Sequence, residues 1–342
     1  MICNVDKVAD LWVLAVLVAS LCTPFEAFAQ TAVPAGCSKP PASKLTVNVR
    51  SKGAKGDGLT DDAASIQLAV NEVAGRGGTV LIPDGVYMVD ASGPNRIMLK
   101  SRMSVQLSPG AVLKAIPNGE THYAVFTLDG VSDVTISGGT LEGERDQHQA
   151  STGEWGHGIR MERGAAHITV SDIKINNMWG DGIFMQAVKD IAVCRIVADN
   201  NRRQGISVIE AEGVLVTHSV FKNTRGTRPS AGIDLEPDIP TQHISNVRIA
   251  NSKFLDNAGA GILVQGRKGA QNIRNVVITG NLFRGAMPVK IKYAPGVLDS
   301  DICQNRYMIR PEQSRDLATV GAQAQEVAVT AACGDPGLRT RQ

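Results

Sequence analysis

Residues 168–190 and 191–213 of this chain are each 23 residues long and align without a gap. Each stretch opens on alternating apolar residues, Ile168 and Val170 in one, Ile191 and Val193 in the other. Each has Asn at its tenth position (Asn177, Asn200) and Gly-Ile at its fifteenth and sixteenth (Gly182-Ile183, Gly205-Ile206). The next unit starts at Val214, carries Asn223 at position ten, and reaches Gly232-Ile233 after an insertion around Thr227-Arg228-Pro229. Another starts at Val247 and reaches Gly261-Ile262 in register, and looser units start at Val134 and Val276. A fixed period of this length is the signature of a solenoid, in which each unit buries its apolar side chains only against its neighbours.

Period-two alternation inside each unit predicts short strands. Coils stacked so that these strands pair in parallel, ~4.8 Å apart, give an all-β parallel β-helix. The L-x-x-L-x-L pattern of a leucine-rich solenoid is absent, and propeller blades are longer than these units. The composition agrees: 35 Gly against 4% aromatic residues favours short strands joined by tight turns. The position-ten Asn residues are expected to stack as a ladder. A helix beginning at Thr60-Asp61-Asp62, with Ile66, Val70 and Val73 on one face, is expected to cap the N-terminal mouth. Gly77-Gly78 ends it, and Thr79–Ile82 reads as a strand. The expected organisation is a leader at 1–29, the β-helix at 45–310, and a C-terminal cap or flexible tail at 311–342.

Leu11–Leu21 is an uncharged apolar run followed by Ala27-Phe28-Ala29, which reads as a secretory signal cut near Ala29. The run is too short for a membrane span, which needs ~20 residues. The expected location is therefore the periplasm or the exterior. A net charge of +2 argues against a nucleic-acid partner. Cys37, Cys194, Cys303 and Cys333 remain after cleavage, too few for a disulfide scaffold, with Cys303 and Cys333 a candidate pair. No C-x-x-C occurs and the six His form no ligand spacing, so no metal site is expected.

One segment carries a family likeness. Val47-Asn48-Val49, Gly53-Ala54-Lys55-Gly56-Asp57-Gly58, Thr60-Asp61-Asp62, Ile66-Gln67, Gly77-Gly78-Thr79-Val80 and Pro83-Asp84-Gly85-Val86-Tyr87 resemble the N-terminal segment of the pectin lyase-like superfamily. The likeness is greatest to the pectate-lyase/epimerase branch, which includes polygalacturonase-like hydrolases and mannuronan C5-epimerases. With the coils it covers residues 45–305. The resemblance implies a right-handed β-helix acting on polysaccharide, with calcium as cofactor if the reaction is a lyase's. It leaves the reaction open. The epimerases' Asp-Pro-His-Asp is absent, Gly180-Asp181-Gly182 has one Asp where the polygalacturonases have two, and Gly156-His157-Gly158 precedes it. Lys290-Ile291-Lys292 is similar to their Arg-Ile-Lys.

Side-chain alternation identifies the outer face of the strands that start at each Gly-Ile. Position seventeen reads Arg160, Phe184, Ser207, Asp234, Leu263, and position nineteen reads Glu162, Gln186, Ile209, Glu236, Gln265. Position fourteen, just before the strand, reads His157, Asp181, Gln204, Ala231, Ala260. Asp234 and Glu236, at i and i+2, lie ~6.5–7 Å apart on one face, a separation suited to an inverting glycosidase pair. Asp181 is a third candidate. The expected roles are Asp234 activating water and Glu236 or Asp181 protonating the leaving oxygen. Arg203, Gln204, Ser207, Phe184, Gln186, Arg228 and Lys290 are the expected substrate contacts, the cations suiting uronate carboxylates. A lyase, an epimerase and a non-catalytic carbohydrate-binding β-helix are the competing readings, because fold does not fix function. Solvent-facing charge that keeps the sheet soluble is the structural alternative for the carboxylates.

Overall fold

Three short strands per coil follow from the repeat. In the coil of residues 168–190 they are Ala166–Ser171, Lys174–Asn176 and Ile183–Met185. Among the described residues, corresponding strands of successive coils pair in parallel and build three sheets, of 11, 7 and 11 strands, one of them ending in an antiparallel strand. The result, in a computed structural model describing residues 43–94, 96–292, 294–308 and 326–328, is a right-handed parallel β-helix. Inward side chains form one continuous apolar core along the stack. Phe221, Phe254, Phe283 and Tyr307 stack in it at centroid distances of 5.2, 4.9 and 5.5 Å.

The repeated glycine has a steric cause. A Cβ on Gly182 would lie 2.6 Å from the carbonyl oxygen of Gly205, one on Gly205 would lie 2.4 Å from that of Gly232, and one on Gly232 would lie 2.6 Å from that of Gly261. Backbone of the next coil leaves no room for a Cβ along this column, and any side chain there would push the coils apart.

Asn177, Asn200 and Asn223 turn the chain at φ of 54, 55 and 57°, a left-handed region that Asn tolerates. The expected ladder forms only in part. Asn200 Nδ2 donates to Asn177 Oδ1 at 2.6 Å, but Asn223 Nδ2 donates to Asp199 Oδ1 at 2.8 Å. An ionised carboxylate is the stronger acceptor, and it sits one residue before Asn200.

The helix runs Ala63–Val73 and buries Ala63, Ile66, Ala69, Val70 and Val73 against the first coils. Asp62 accepts hydrogen bonds from Lys55 N (2.6 Å) and Gly56 N (2.9 Å), tying the glycine-rich loop to the start of the helix. At the other end, Glu326–Ala328 pairs antiparallel with Arg306–Met308. This part of the expected tail is a strand that covers the last edge of its sheet. Cys194 and Cys303 are each disulfide-bonded. Cys37, Cys333 and the expected leader lie outside the described residues. Among the described residues, no helix is long and apolar enough to cross a membrane.

Candidate functional site

The seven-stranded sheet carries the candidate site on its outer face. Arg160, Phe184, Ser207, Asp234 and Leu263 are direct partners on successive strands, and Lys290 follows Leu263. Burial departs from the solvent-facing expectation. Asp181 and Gln204 are 0% exposed, Ser207 1% and Asp234 2%. Side chains from adjacent coils lie across one another on this face. Arg203 Nη1 donates to Asp181 Oδ2 at 3.0 Å and to Ser207 Oγ at 3.3 Å. Gln204 Nε2 donates to Asp234 Oδ2 at 2.9 Å, while its Oε1 accepts from Ala231 N at 2.9 Å. Ala231, Ala260 and Leu263 pack into a small buried apolar cluster of their own next to this network.

Burial sets the protonation of the carboxyls. Loss of solvent raises Asp181 to about 6, against the opposing charge of Arg203. Asp234 is pushed well above the usual carboxylate range, first by burial and then by the charge of Glu236, with Arg203 opposing. Each of the two keeps one carboxyl oxygen, Oδ1, buried and without a hydrogen-bond partner. The Nε atoms of Arg203 and Arg160 are also buried without a hydrogen bond, though they lie 3.7 Å from Glu154 Oε2 and 3.4 Å from Glu162 Oε2. Orphaned polar atoms of this kind mark the place of a water or a ligand group.

His157 belongs to the cluster. It is buried, and its Nδ1 accepts the backbone N–H of Asp181 at 3.3 Å and lies 3.5 Å from Asp181 Oδ2. Its ring stacks on Phe184 at 4.9 Å. Burial, then the positive charges of Arg203, Arg160 and His122, hold its pKa well below the ordinary value, so the imidazole is neutral. The Gly-His-Gly motif marked this residue; nothing in the sequence marked Glu154, whose Oε2 lies 3.7 Å from Arg203 Nε.

The other expected contacts are more dispersed. Glu236 bonds the Gln265 amide and lies 3.9 Å from Arg267 Nη2. Gln186 is half-buried at the edge of the face. Arg228 is exposed on the insertion and forms no ion pair among the described residues. Lys290 is exposed, two strands beyond Asp234 with Leu263 between them. Among the described residues, no group of three or more His, Cys, Asp or Glu is placed to hold a metal ion.

A second buried carboxyl lies under the 143–155 segment. Glu144 Oε1 accepts a hydrogen bond from the Tyr123 hydroxyl and lies 3.1 Å from His148 Nδ1. His148 stacks on Trp179 at 4.0 Å, and the Arg202 guanidinium covers that indole at 3.7 Å. Burial raises Glu144 to about 7.

Residues 46–108 match the family described as rhamnogalacturonase A/epimerase, pectate lyase-like, and residues 97–238 match the right handed beta helix region. The chain is 29% identical to the uncharacterized protein YclG of Bacillus subtilis over 71% of its own length and 49% of that protein's. It is 26% identical to the mannuronan C5-epimerase AlgE2 of Azotobacter vinelandii over 73% of this chain and 26% of the epimerase. It therefore spans about half of the first relative and about a quarter of the second. Among solved structures, the Streptococcus pneumoniae surface adhesin PfbA superposes with a TM-score of 0.61 at 20% identity, covering 76% of this chain and 77% of that one. A family 28 exopolygalacturonase of Yersinia enterocolitica gives 0.57 at 16% identity, covering 79% and 66%.

Proposed function

We propose that this chain, which belongs to the pectin lyase-like superfamily of right-handed parallel β-helices, is an exported glycoside hydrolase that cuts uronate-containing polysaccharide on the outer face of its seven-stranded sheet. One observation carries the reading: Asp181 and Asp234 are buried together on one face, both with raised pKa. Hydrolysis requires one protonated and one ionised carboxyl at the scissile bond. Burial exchanges the roles expected from spacing. Asp234, whose proton is held most firmly, protonates the leaving oxygen. Asp181, ionised at neutral pH with Arg203 beside it, takes a proton from the water that attacks the anomeric carbon. Glu236 raises the Asp234 proton affinity through its charge and through a side-chain hydrogen bond. Arg203 and Arg160, which lie within ion-pair distance of Glu154 and Glu162, supply the positive charge that a substrate carboxylate would meet on this face.

A panel of polygalacturonate, mannuronan and neutral glycans, scored for new reducing ends and for ultraviolet absorbance, tests this. New reducing ends without absorbance support hydrolysis. Absorbance indicates elimination, and with it a calcium-assisted lyase. Retention of glycan without product indicates a binding β-helix, a reading that the similarity to the plasmin and fibronectin-binding protein A of S. pneumoniae, 26% identical over 76% of this chain, keeps in view. Export after cleavage near Ala29 predicts a mature N-terminus at about Gln30, checked by N-terminal sequencing.

A further inference from the structure

Trp155 opens the Trp155–Glu162 strand and is 37% exposed, while Phe184, on the next strand of the same sheet, is 9% exposed. Trp155 and His122 are direct partners on adjacent strands, and their rings stack at 4.5 Å with 12° between the planes. The His122 ring is itself held by a 2.8 Å hydrogen bond between Nδ1 and Thr121 Oγ1. The pair thus forms a supported aromatic plane at the surface.

This plane is continuous with the carboxyl cluster. Glu154, next to Trp155 in the chain, lies 3.7 Å from Arg203 Nε. His157, two residues beyond Trp155 in the same strand, accepts the backbone N–H of Asp181. Three strand steps separate Trp155 from Asp234, or ~14 Å along the stack, and Trp155 lies five residues before Arg160, the residue in the Asp234 column, which adds ~16 Å across the sheet. A pyranose ring has one apolar C–H face and polar edges. An indole face accepts the first through its negative quadrupole, leaving the hydroxyls to side chains at the rim.

We infer that Trp155 and His122 form a sugar-stacking subsite that holds one ring of the polysaccharide, so that the glycan crosses the sheet obliquely from Trp155 toward Asp234. The inference rests on the polysaccharide reading above. Nothing about the reaction type is needed for it.

The test uses the full chain with Asp234→Asn, which under the hydrolase reading leaves bound glycan uncut. Oligogalacturonate and oligomannuronate of increasing length are titrated, with indole fluorescence and calorimetry as readouts. The expected result is an emission change with at least one series, lost with Trp155→Ala along with about tenfold or more in affinity. Trp155→Phe, which keeps a ring, is expected to retain most of the affinity. Equal binding by Trp155→Ala, or no emission change with any oligomer, overturns the subsite. Turnover separates this from the hydrolase reading. If Asp234→Asn abolishes cleavage while Trp155→Ala binds normally, the subsite is wrong and the hydrolase stands. If binding depends on Trp155 while Asp234→Asn cleaves normally, the subsite stands and the hydrolase reading is wrong.

Discussion

Arg203 Nη1 lies 3.0 Å from Asp181 Oδ2, and its charge, with a smaller contribution from Ser207, opposes the burial that raises Asp181 to about 6. Replacing Arg203 by Gln removes the favourable charge, so Asp181 should hold its proton to a higher pH. If Asp181 acts ionised, the acidic limb of the rate–pH profile should move upward in Arg203→Gln and stay near its original place in Arg203→Lys. A limb that does not move in Arg203→Gln excludes Asp181 as the base. The stability sign follows from the same shift. The folded state binds this proton more tightly than the unfolded state, so the contribution is present at low pH and is lost as pH rises from 3.8 through about 6.

Asp234→Asn and Asp181→Asn should each lower turnover on a confirmed substrate by roughly 100- to 10,000-fold, the usual range for loss of a general acid or base. Glu236→Gln should have a smaller effect, because Glu236 acts on Asp234 through its charge. Removing that charge lowers the Asp234 pKa, so the alkaline limb should move downward. Rates measured across pH for the three variants check this; near-normal turnover by both Asn variants would remove the mechanism.

Glu144 gives a prediction that needs no substrate. Burial raises it from 4.5 to about 7, so its proton is held by the folded state and released on unfolding within that window. Stability therefore falls as pH rises through the window. Glu144→Gln mimics the protonated form and should melt like the parent below about pH 4.5, but at a higher temperature above about pH 7. Thermal melts across this range decide it; parallel curves would show that Glu144 titrates normally.

Gly205→Ala tests the closeness of the coils. Its Cβ would meet the Gly232 carbonyl oxygen at 2.4 Å and Phe221 Cδ1 at 2.7 Å, neither of which can yield without moving a coil. A loss of about 1–3 kcal/mol is expected from chemical denaturation, the usual cost of overpacking. Gly164→Ala is a useful contrast, because nothing lies within 4 Å of its added Cβ and only the backbone strain at φ +88° remains.

Much of this arrangement is legible in the chain itself. The period, the Gly-Ile step and the two-residue alternation specify the sheet, its register and the columns that bring Ser207, Asp234 and Leu263 side by side. Register is readable because a slip of one residue would send every apolar side chain outward. Tertiary structure alone decided how wet that face is. Arg203 and Gln204 fold across carboxyls of neighbouring coils, and only then do Asp181 and Asp234 become buried proton holders. Glu144, Glu154 and His148 lie in an insertion with no periodicity, so no pattern announced that they would meet Tyr123, Arg203 and Trp179. Repeats encode position along the stack; desolvation, and with it the chemistry of each carboxyl, depends on contacts between residues more than twenty positions apart.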